Sequence, residues 1–231
     1  MEHDEGGVTR WRAEAVEAWA STANAVLCGL NHALSNRVSA LVMVFHAEQG
    51  ASLAASEISR LSTETAKLEE LLRLYRLLAR SDLATPEPIC VADAVSDALA
   101  LVARHPDAGD LAWTVAGDAD TPPVLLIPSA LVHALVFLLC AAAVNAAAAA
   151  EPPELRLTFG GDPDWVTIAV DTRSSAAQDQ SAQALEAATV DFLLPGSVVT
   201  RLPSPTQAGG VRLEVRLPTL ANQRRHERDA S

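Results

Sequence analysis

The sequence predicts an α+β protein in which an antiparallel hairpin of two long helices is followed by an α/β sandwich. Apolar residues recur at helical spacing over residues 9–49 and again over residues 52–80, with Gly50 as the stop between them. The segment Thr85-Pro86-Glu87-Pro88 breaks this period, and short strand-like runs alternate with helical ones beyond it. We therefore expect a helical domain over residues 1–84 and a second domain after it.

The second domain, over residues 85–220, is predicted to be a sheet covered by helices on one side. Two strand-like runs meet at the turn Gly160-Gly161-Asp162-Pro163, and a closing hairpin joins residues 198–202 to residues 211–217. The remaining residues, 221–231, are charged and are predicted to be a mobile tail.

The helical hairpin carries more apolar surface than two helices cover by themselves. Apolar residues of the second helix alternate in steps of four and three, which is a heptad pattern. This seam consists of Ala54, Ile58, Leu61, Thr65, Leu68, Leu72, Tyr75 and Ala79. Such a hairpin is expected to pair with a second copy and form a four-helix bundle in a homodimer. The alternative is that the hairpin packs on the second domain of its own chain.

Composition excludes several classes of function. The net charge of −12 over 231 residues argues against a nucleic-acid partner, which needs clustered Lys and Arg. Residues 131–150 are long and apolar enough to suggest a membrane span, but they contain His133 and Asn145 and lack flanking basic residues. We expect a buried core helix there. The three cysteines stand singly without metal-ligand spacing, as in the core of a reduced cytoplasmic protein.

One histidine lies inside the first helical pattern at a particular place. The apolar stripe of this helix consists of Leu27, Leu30, Leu34, Val38 and Leu41. Relative to that stripe, His32 lies on the flank of the helix and points outward, and Asn36 follows it by one turn. This arrangement would present an imidazole to a partner protein.

These residues carry a resemblance to a known family. Leu30-Asn31-His32 followed by Asn36 resembles the H-box of histidine-kinase dimerisation and phosphotransfer domains, and the order of the later elements is similar to a histidine-kinase core that ends in an ATPase-like domain. The resemblance implies that His32 is a phosphoacceptor and that Asn36 orients the nucleophile. It also implies that a receiver domain docks around His32 on Leu30, Leu34 and Arg37. Ala33 and Arg37 replace the family's usual acidic residue and proline.

The resemblance also implies a nucleotide site, and here the sequence departs from the family. Phe137 and Ala141 stand where the family has two asparagines that hold magnesium and phosphate oxygens. Asp171 is retained, but Thr172-Arg173-Ser174-Ser175 replaces the glycines that let the backbone approach the nucleotide, and the following lid is short. We expect no ATP, no metal and no other cofactor on this chain.

A retained imidazole beside a degenerate ATPase-like domain is most similar to the dimeric histidine phosphotransferases of the ChpT type. That resemblance implies phosphoryl transfer between receiver-domain aspartates of a bacterial two-component phosphorelay, with magnesium supplied by the receiver. Two alternatives remain open. One is an atypical histidine kinase that uses Asn145 and Asp171, and the other is a non-catalytic scaffold that binds a response regulator.

Overall fold

The computed structural model describes residues 5–47, 55–79, 85–109, 111–118, 120–147, 155–172, 180–205 and 210–229. Its helices are α1 (Glu5–Ala47), α2 (Ala55–Leu78), α3 (Val91–Val102), α4 (Pro128–Ala147), α5 (Gln180–Leu193) and α6 (Leu220–Asp229). Its strands are β1 (Glu87–Ile89), β2 (Trp113–Gly117), β3 (Val124–Leu126), β4 (Leu155–Gly161), β5 (Trp165–Thr172), β6 (Val198–Pro203) and β7 (Val211–Pro218). The α+β class and the order of elements agree with the sequence prediction.

The main sheet has the strand order β2-β4-β5-β7-β6, in which β2 runs parallel to β4 and the other neighbours are antiparallel. Residues paired across neighbouring strands point to the same face of a sheet. Leu157, Val170 and Leu213 are in register and buried, so they mark the inner face. Helix α4 packs on this face, and α5 packs beside it on α4 and β6. β1 and β3 form a separate antiparallel pair.

Helix α4 is the centre of the core. Nearly every residue from Leu131 to Ala146 whose side chain is described is buried, which confirms the prediction of a buried core helix. Within the described ranges, no helix is both long and apolar enough to cross a bilayer. Of the cysteines, only Cys140 on α4 is buried. Cys28 and Cys90 are exposed, so the expectation of three core cysteines was wrong for those two.

Part of the helical hairpin packs on α3, α4 and the sheet of its own chain. Val26 and Leu30 of α1 and Leu71 and Leu74 of α2 belong to the same continuous hydrophobic cluster as α3, α4 and the sheet. His133 of α4 fastens both helices, because its ring lies 4.6 Å from the ring of Trp19 and its Nε2 lies 2.8 Å from the carbonyl oxygen of Leu77. The own-chain packing that the sequence left as an alternative therefore accounts for these leucines.

The predicted heptad seam of α2 is on another face. Ile58, Thr65, Leu72, Tyr75 and Ala79 are exposed in the single chain. Leu61 and Leu68 are half-buried, and Ala54 lies outside the described residues. The seam thus remains uncovered after α2 has packed on its own second domain.

Helix α6 corrects the expectation of a mobile tail over residues 221–231. Asn222 is buried, and its Nδ2 donates a hydrogen bond to the carbonyl oxygen of Asp164 at 3.0 Å. The Thr219 hydroxyl accepts a hydrogen bond from the backbone N–H of Asn222 at 3.1 Å and so caps the first turn. An ion pair between Arg225 and Asp164 further attaches the helix to the β4–β5 turn.

Candidate functional site

His32 is exposed on α1, and Asn36 lies one turn after it on the same face. The Asn36 side-chain nitrogen Nδ2 is 3.1 Å from His32 Nε2. Because an amide nitrogen only donates, this hydrogen bond ends on the lone pair of Nε2, and the proton of the neutral ring then belongs on Nδ1. In this arrangement the Nε2 lone pair accepts the Asn36 hydrogen bond, and Nδ1 carries the ring proton.

His32 lines a groove with a volume of about 1060 Å³. Two walls come from α1 and α2, and the third comes from the segment that follows α3 in the second domain. The lining residues are Cys28, Gly29, His32, Ala33, Asn36 and Arg37 of α1; Ser62, Thr63, Ala66, Lys67, Glu70 and Leu71 of α2; and Ala103, Arg104, His105, Pro106 and Gly109. The imidazole thus lines a space formed by the helical hairpin and residues 103–109.

The third wall reaches α1 through a close approach at Gly29. A Cβ atom on this glycine would collide with the carbonyl oxygen of Arg104, so no larger residue fits without a shift of the backbone. Gly29 precedes His32 by three residues, so the contact places the second domain less than one helical turn from the imidazole. Sequence reasoning missed this contact. The signal was an isolated glycine inside a helical pattern, which usually has a packing reason.

Arg37 was expected to be exposed and to bind a partner, and the structure corrects the expected exposure. It is half-buried, and its Nη1 donates to Glu64 Oε2 at 2.9 Å, while Lys67 Nζ donates to the other carboxylate oxygen at 2.8 Å. Hydrogen bonds from Lys67 and Arg37 hold the pKa of Glu64 below its ordinary value. Reversing the charge at residue 37 would place two carboxylates together between α1 and α2, so that change would disturb the hairpin as well as any docking.

Leu30 and Leu34 were also expected to contact a partner. Leu30 is fully buried in the core of its own chain, so it anchors α1 there and offers no surface to a partner. Leu34 is half-buried and packs against the same core with part of its side chain still accessible. The heptad pattern showed which face of α1 is apolar but not which element covers it.

Asp171 lies on the wrong face of the sheet for the role implied by the resemblance. It is in register with Arg156 and Arg212, next to the inner-facing Val170, and so points to the outer face away from α4. Its two carboxylate oxygens accept hydrogen bonds from Arg212 Nε at 3.0 Å and Nη2 at 2.7 Å. Ser204 Oγ donates to Oδ1 at 2.9 Å. Both oxygens of the Asp171 carboxylate therefore already have hydrogen-bond donors from Arg212 and Ser204.

The inner face carries apolar or neutral residues where the family has metal ligands. Phe137 is buried and Ala141 is half-buried on α4, and Thr172 is the residue of β5 that points to this side. None of these side chains supplies an anionic oxygen for a hard cation. The short lid at residues 173–179 lies outside the described residues, as does the side chain of Asn145. In the described part of the chain, no three His, Cys, Asp or Glu side chains are grouped to hold a metal ion.

We predict that Asp171→Asn lowers the free energy of unfolding by about 2–3 kcal/mol at neutral pH. Removing one partner of a fully buried ion pair costs about 3–5 kcal/mol, and the value here is smaller because the Arg212 side chain is 22% exposed. Urea unfolding followed by circular dichroism measures the change. Asp120→Asn, on an exposed turn, is the matched control and should change stability by less than about 0.5 kcal/mol.

The difference in unfolding free energy between wild type and Asp171→Asn should depend on pH because of the same contacts. Burial alone would raise the pKa of Asp171, but the hydrogen bonds from Arg212 and Ser204 outweigh burial and hold its pKa below the ordinary value. A carboxyl group with a lowered pKa stabilises the fold above its unfolded pKa of about 3.9 and loses that contribution as the pH falls further. The gap in unfolding free energy between wild type and Asp171→Asn should be constant from neutral pH to about pH 5 and should shrink in more acidic solution. A gap that does not change with acid would contradict the proposed ion pair.

The sequence matches no family model, and no curated protein is similar to it at a significant level. Solved structures do share its fold. A chain of the complex between the histidine kinase ThkA and the response regulator protein TrrA aligns with 93% of this chain and 66% of its own length, at 10% identity and a TM-score of 0.50. The histidine kinase AdeS of Acinetobacter baumannii aligns with 84% of this chain and 97% of its own, at 12% identity and a TM-score of 0.47. The mycobacterial sensor histidine kinase MprB aligns with 58% and 98%, at 17% identity and a TM-score of 0.44.

Proposed function

We propose that this chain, which has the fold of a histidine-kinase core, is a histidine phosphotransferase that works without ATP. It accepts a phosphoryl group from the phosphoaspartate of one receiver domain on His32 and passes it to the aspartate of another. The observation that supports this most strongly is the exposed His32–Asn36 pair, which lines a groove formed by α1, α2 and the segment after α3. The chain keeps this pair, whereas Phe137 and Ala141 stand at the positions where the family resemblance implies nucleotide-site asparagines.

The chemical step needs only the groups that this site holds. Nε2 of His32 attacks the phosphorus, and an N–P bond forms while the P–O bond to the receiver aspartate breaks. The bonding electrons leave with the aspartate carboxylate, and the proton already on Nδ1 stays on the ring. The reaction therefore requires no base, which fits the alanine at position 33. The Asn36 amide must first turn away from Nε2, and rotations of exposed side chains are fast. Magnesium would arrive with the receiver.

The partner that we propose is a response-regulator receiver domain. The ThkA structure is a complex with a response regulator, and the groove beside His32 offers a surface for the same class of partner. In place of the buried Leu30, the proposed docking surface consists of small and polar side chains, namely Ala33, Ser62, Thr63 and Ala66, with the accessible edge of Leu34. Such a surface suits a transient encounter, which a relay between two receivers requires.

The position of Asp171 supports transfer without ATP. In the alternative reading as an atypical kinase, Asp171 would bind the nucleotide together with Asn145. Asp171 instead points away from α4 and is held by Arg212 and Ser204. To bind a nucleotide, Asp171 would have to break its ion pair with Arg212 and turn to the other face of the sheet at the end of β5. Phe137 further fills the helix position at which the family holds metal and phosphate.

We also propose that the protein works as a homodimer. Most of the α2 seam lies on a face that its own chain leaves uncovered, and α1 also exposes apolar residues in its last turns. These residues are Val38, Val42, Met43 and Phe45 of α1 and Ile58, Leu72 and Tyr75 of α2. Pairing this face with a second copy would complete a four-helix bundle.

A relay assay tests the proposed function. One receiver domain is labelled on its aspartate, freed of its kinase and of ATP, and mixed with a second receiver and a catalytic amount of this chain. We expect the label to pass to the second receiver only when the chain is present. A label that stays on the first receiver across a panel of receivers from the same genome would contradict the proposal and favour a non-catalytic scaffold.

A further inference from the structure

We propose that Arg104 binds the phosphoryl group at His32, and that this cation is what the ATPase-like domain contributes to phosphotransfer. The inference rests on the proposed function and assigns a residue of the second domain to the same site.

Arg104 is held close to His32 by backbone contacts that do not involve its own side chain. Its carbonyl oxygen lies against Gly29 of α1, as described above. Its backbone N–H donates to the carbonyl oxygen of Leu101 at 2.9 Å, and the next N–H, from His105, donates to Val102 at 2.9 Å. A fixed turn therefore carries the long arginine side chain at the wall of the groove that His32 also lines.

Arg104 differs from the other cations of the groove in its partners. Arg37 and Lys67 both bind Glu64, so that carboxylate already compensates part of their charge. The exposed Arg104 side chain makes no hydrogen bond or ion pair with any residue that the structure describes. Its five N–H donors are free to bind oxygen atoms that enter the groove.

A phosphoryl group on His32 would supply a negative charge to pair with the Arg104 guanidinium. In phosphoryl transfer the negative charge is spread over three equatorial oxygens, and a positioned guanidinium stabilises it. A guanidinium can donate two parallel hydrogen bonds to such oxygens, which fixes the direction of the group as well as its charge. Arg104 would thus hold the phosphoryl group in line with Nε2 during the transfer to and from His32.

Phosphoramidate tests Arg104 without any receiver. This small donor phosphorylates imidazoles directly: the N–P bond to His32 forms, the P–N bond of the donor breaks, and ammonia leaves. Phosphorus NMR then gives the rate at His32. We expect Arg104→Ala to react about tenfold more slowly than wild type, a smaller loss than the roughly 10²–10³-fold effect of a donor in a closed site, because Arg104 is open to water. Arg104→Lys should react at a rate between those of wild type and Arg104→Ala, since it keeps the charge but cannot donate two parallel hydrogen bonds.

Arg76→Ala is the matched control, because Arg76 is an exposed arginine of α2 that does not line the groove. It should react at the wild-type rate, and thermal unfolding should show that all variants fold. Equal rates for wild type and Arg104→Ala would overturn the inference, as would a wild-type rate no faster than that of free imidazole. If Arg104→Ala slows the phosphoramidate reaction but wild type takes no label from phosphorylated receivers, the phosphoryl site stands and the proposed relay function fails.

Discussion

Replacing His32 with glutamine is expected to abolish phosphoryl acceptance from a phosphorylated receiver while leaving the fold intact. The glutamine amide is close in size and polarity to imidazole, but its nitrogen has no lone pair available for attack on phosphorus. The His32→Gln substitution should change the free energy of unfolding by no more than about 0.5 kcal/mol, because His32 is exposed and its hydrogen bond to Asn36 lies on the surface. Gel autoradiography with a labelled receiver, run without ATP, measures acceptance.

His226→Gln is the matched control for this experiment. His226 is an exposed histidine on α6, on the opposite domain from α1 and outside the groove. It should accept label at the wild-type rate. Label that persists in His32→Gln and disappears in another histidine variant would show that the nucleophile has been assigned to the wrong ring.

The second large effect concerns the oligomeric state. Replacing Ile58 and Leu72 with glutamate should convert a dimer into monomers. The two side chains are 54% and 42% exposed in the single chain, so the charges are tolerated there, whereas a four-helix bundle would bury them. A dimer carries four such substitutions. At about 1.5 kcal/mol each, they would weaken association by about 6 kcal/mol, or roughly 10⁴-fold. Light scattering coupled to size-exclusion chromatography reports the mass.

The control for this prediction changes equally exposed apolar residues elsewhere. Val198 and Leu202 of the edge strand β6 are 49% and 41% exposed, and replacing both with glutamate should leave the dimer unchanged. A wild-type protein that is monomeric at high concentration would refute the seam as a dimer interface. A dimer that dissociates only in the β6 variant would place the interface on the sheet edge.

Periodicity and turn residues were enough to predict the helical hairpin, the buried helix α4 and the closing β6–β7 hairpin. They also placed Asn36 where it contacts His32, although the chemical roles of these two residues stay predictions. Local patterns succeed in these cases because each feature depends on residues close together in the chain.

The rest depended on long-range packing. Whether Asp171 faces the helices depends on strand register, and a shift of one residue reverses the face. The spacing of the motif in the sequence could not show that Asp171 points to the same face of the sheet as Arg212. The contact between Gly29 and Arg104 joins residues of two domains, so no local pattern contains it. Leu30 is likewise buried by its own chain. The sequence of α1 could not show whether its own chain or a partner covers that leucine.

We propose that phosphoryl groups reach His32 from receiver aspartates and not from ATP. The most direct measurement incubates the purified chain in two parallel reactions, one with labelled ATP and magnesium and one with a labelled phosphorylated receiver, and maps the label by mass spectrometry. We predict label on His32 in the receiver reaction alone. Label on His32 from ATP alone, with no other protein present, would contradict it.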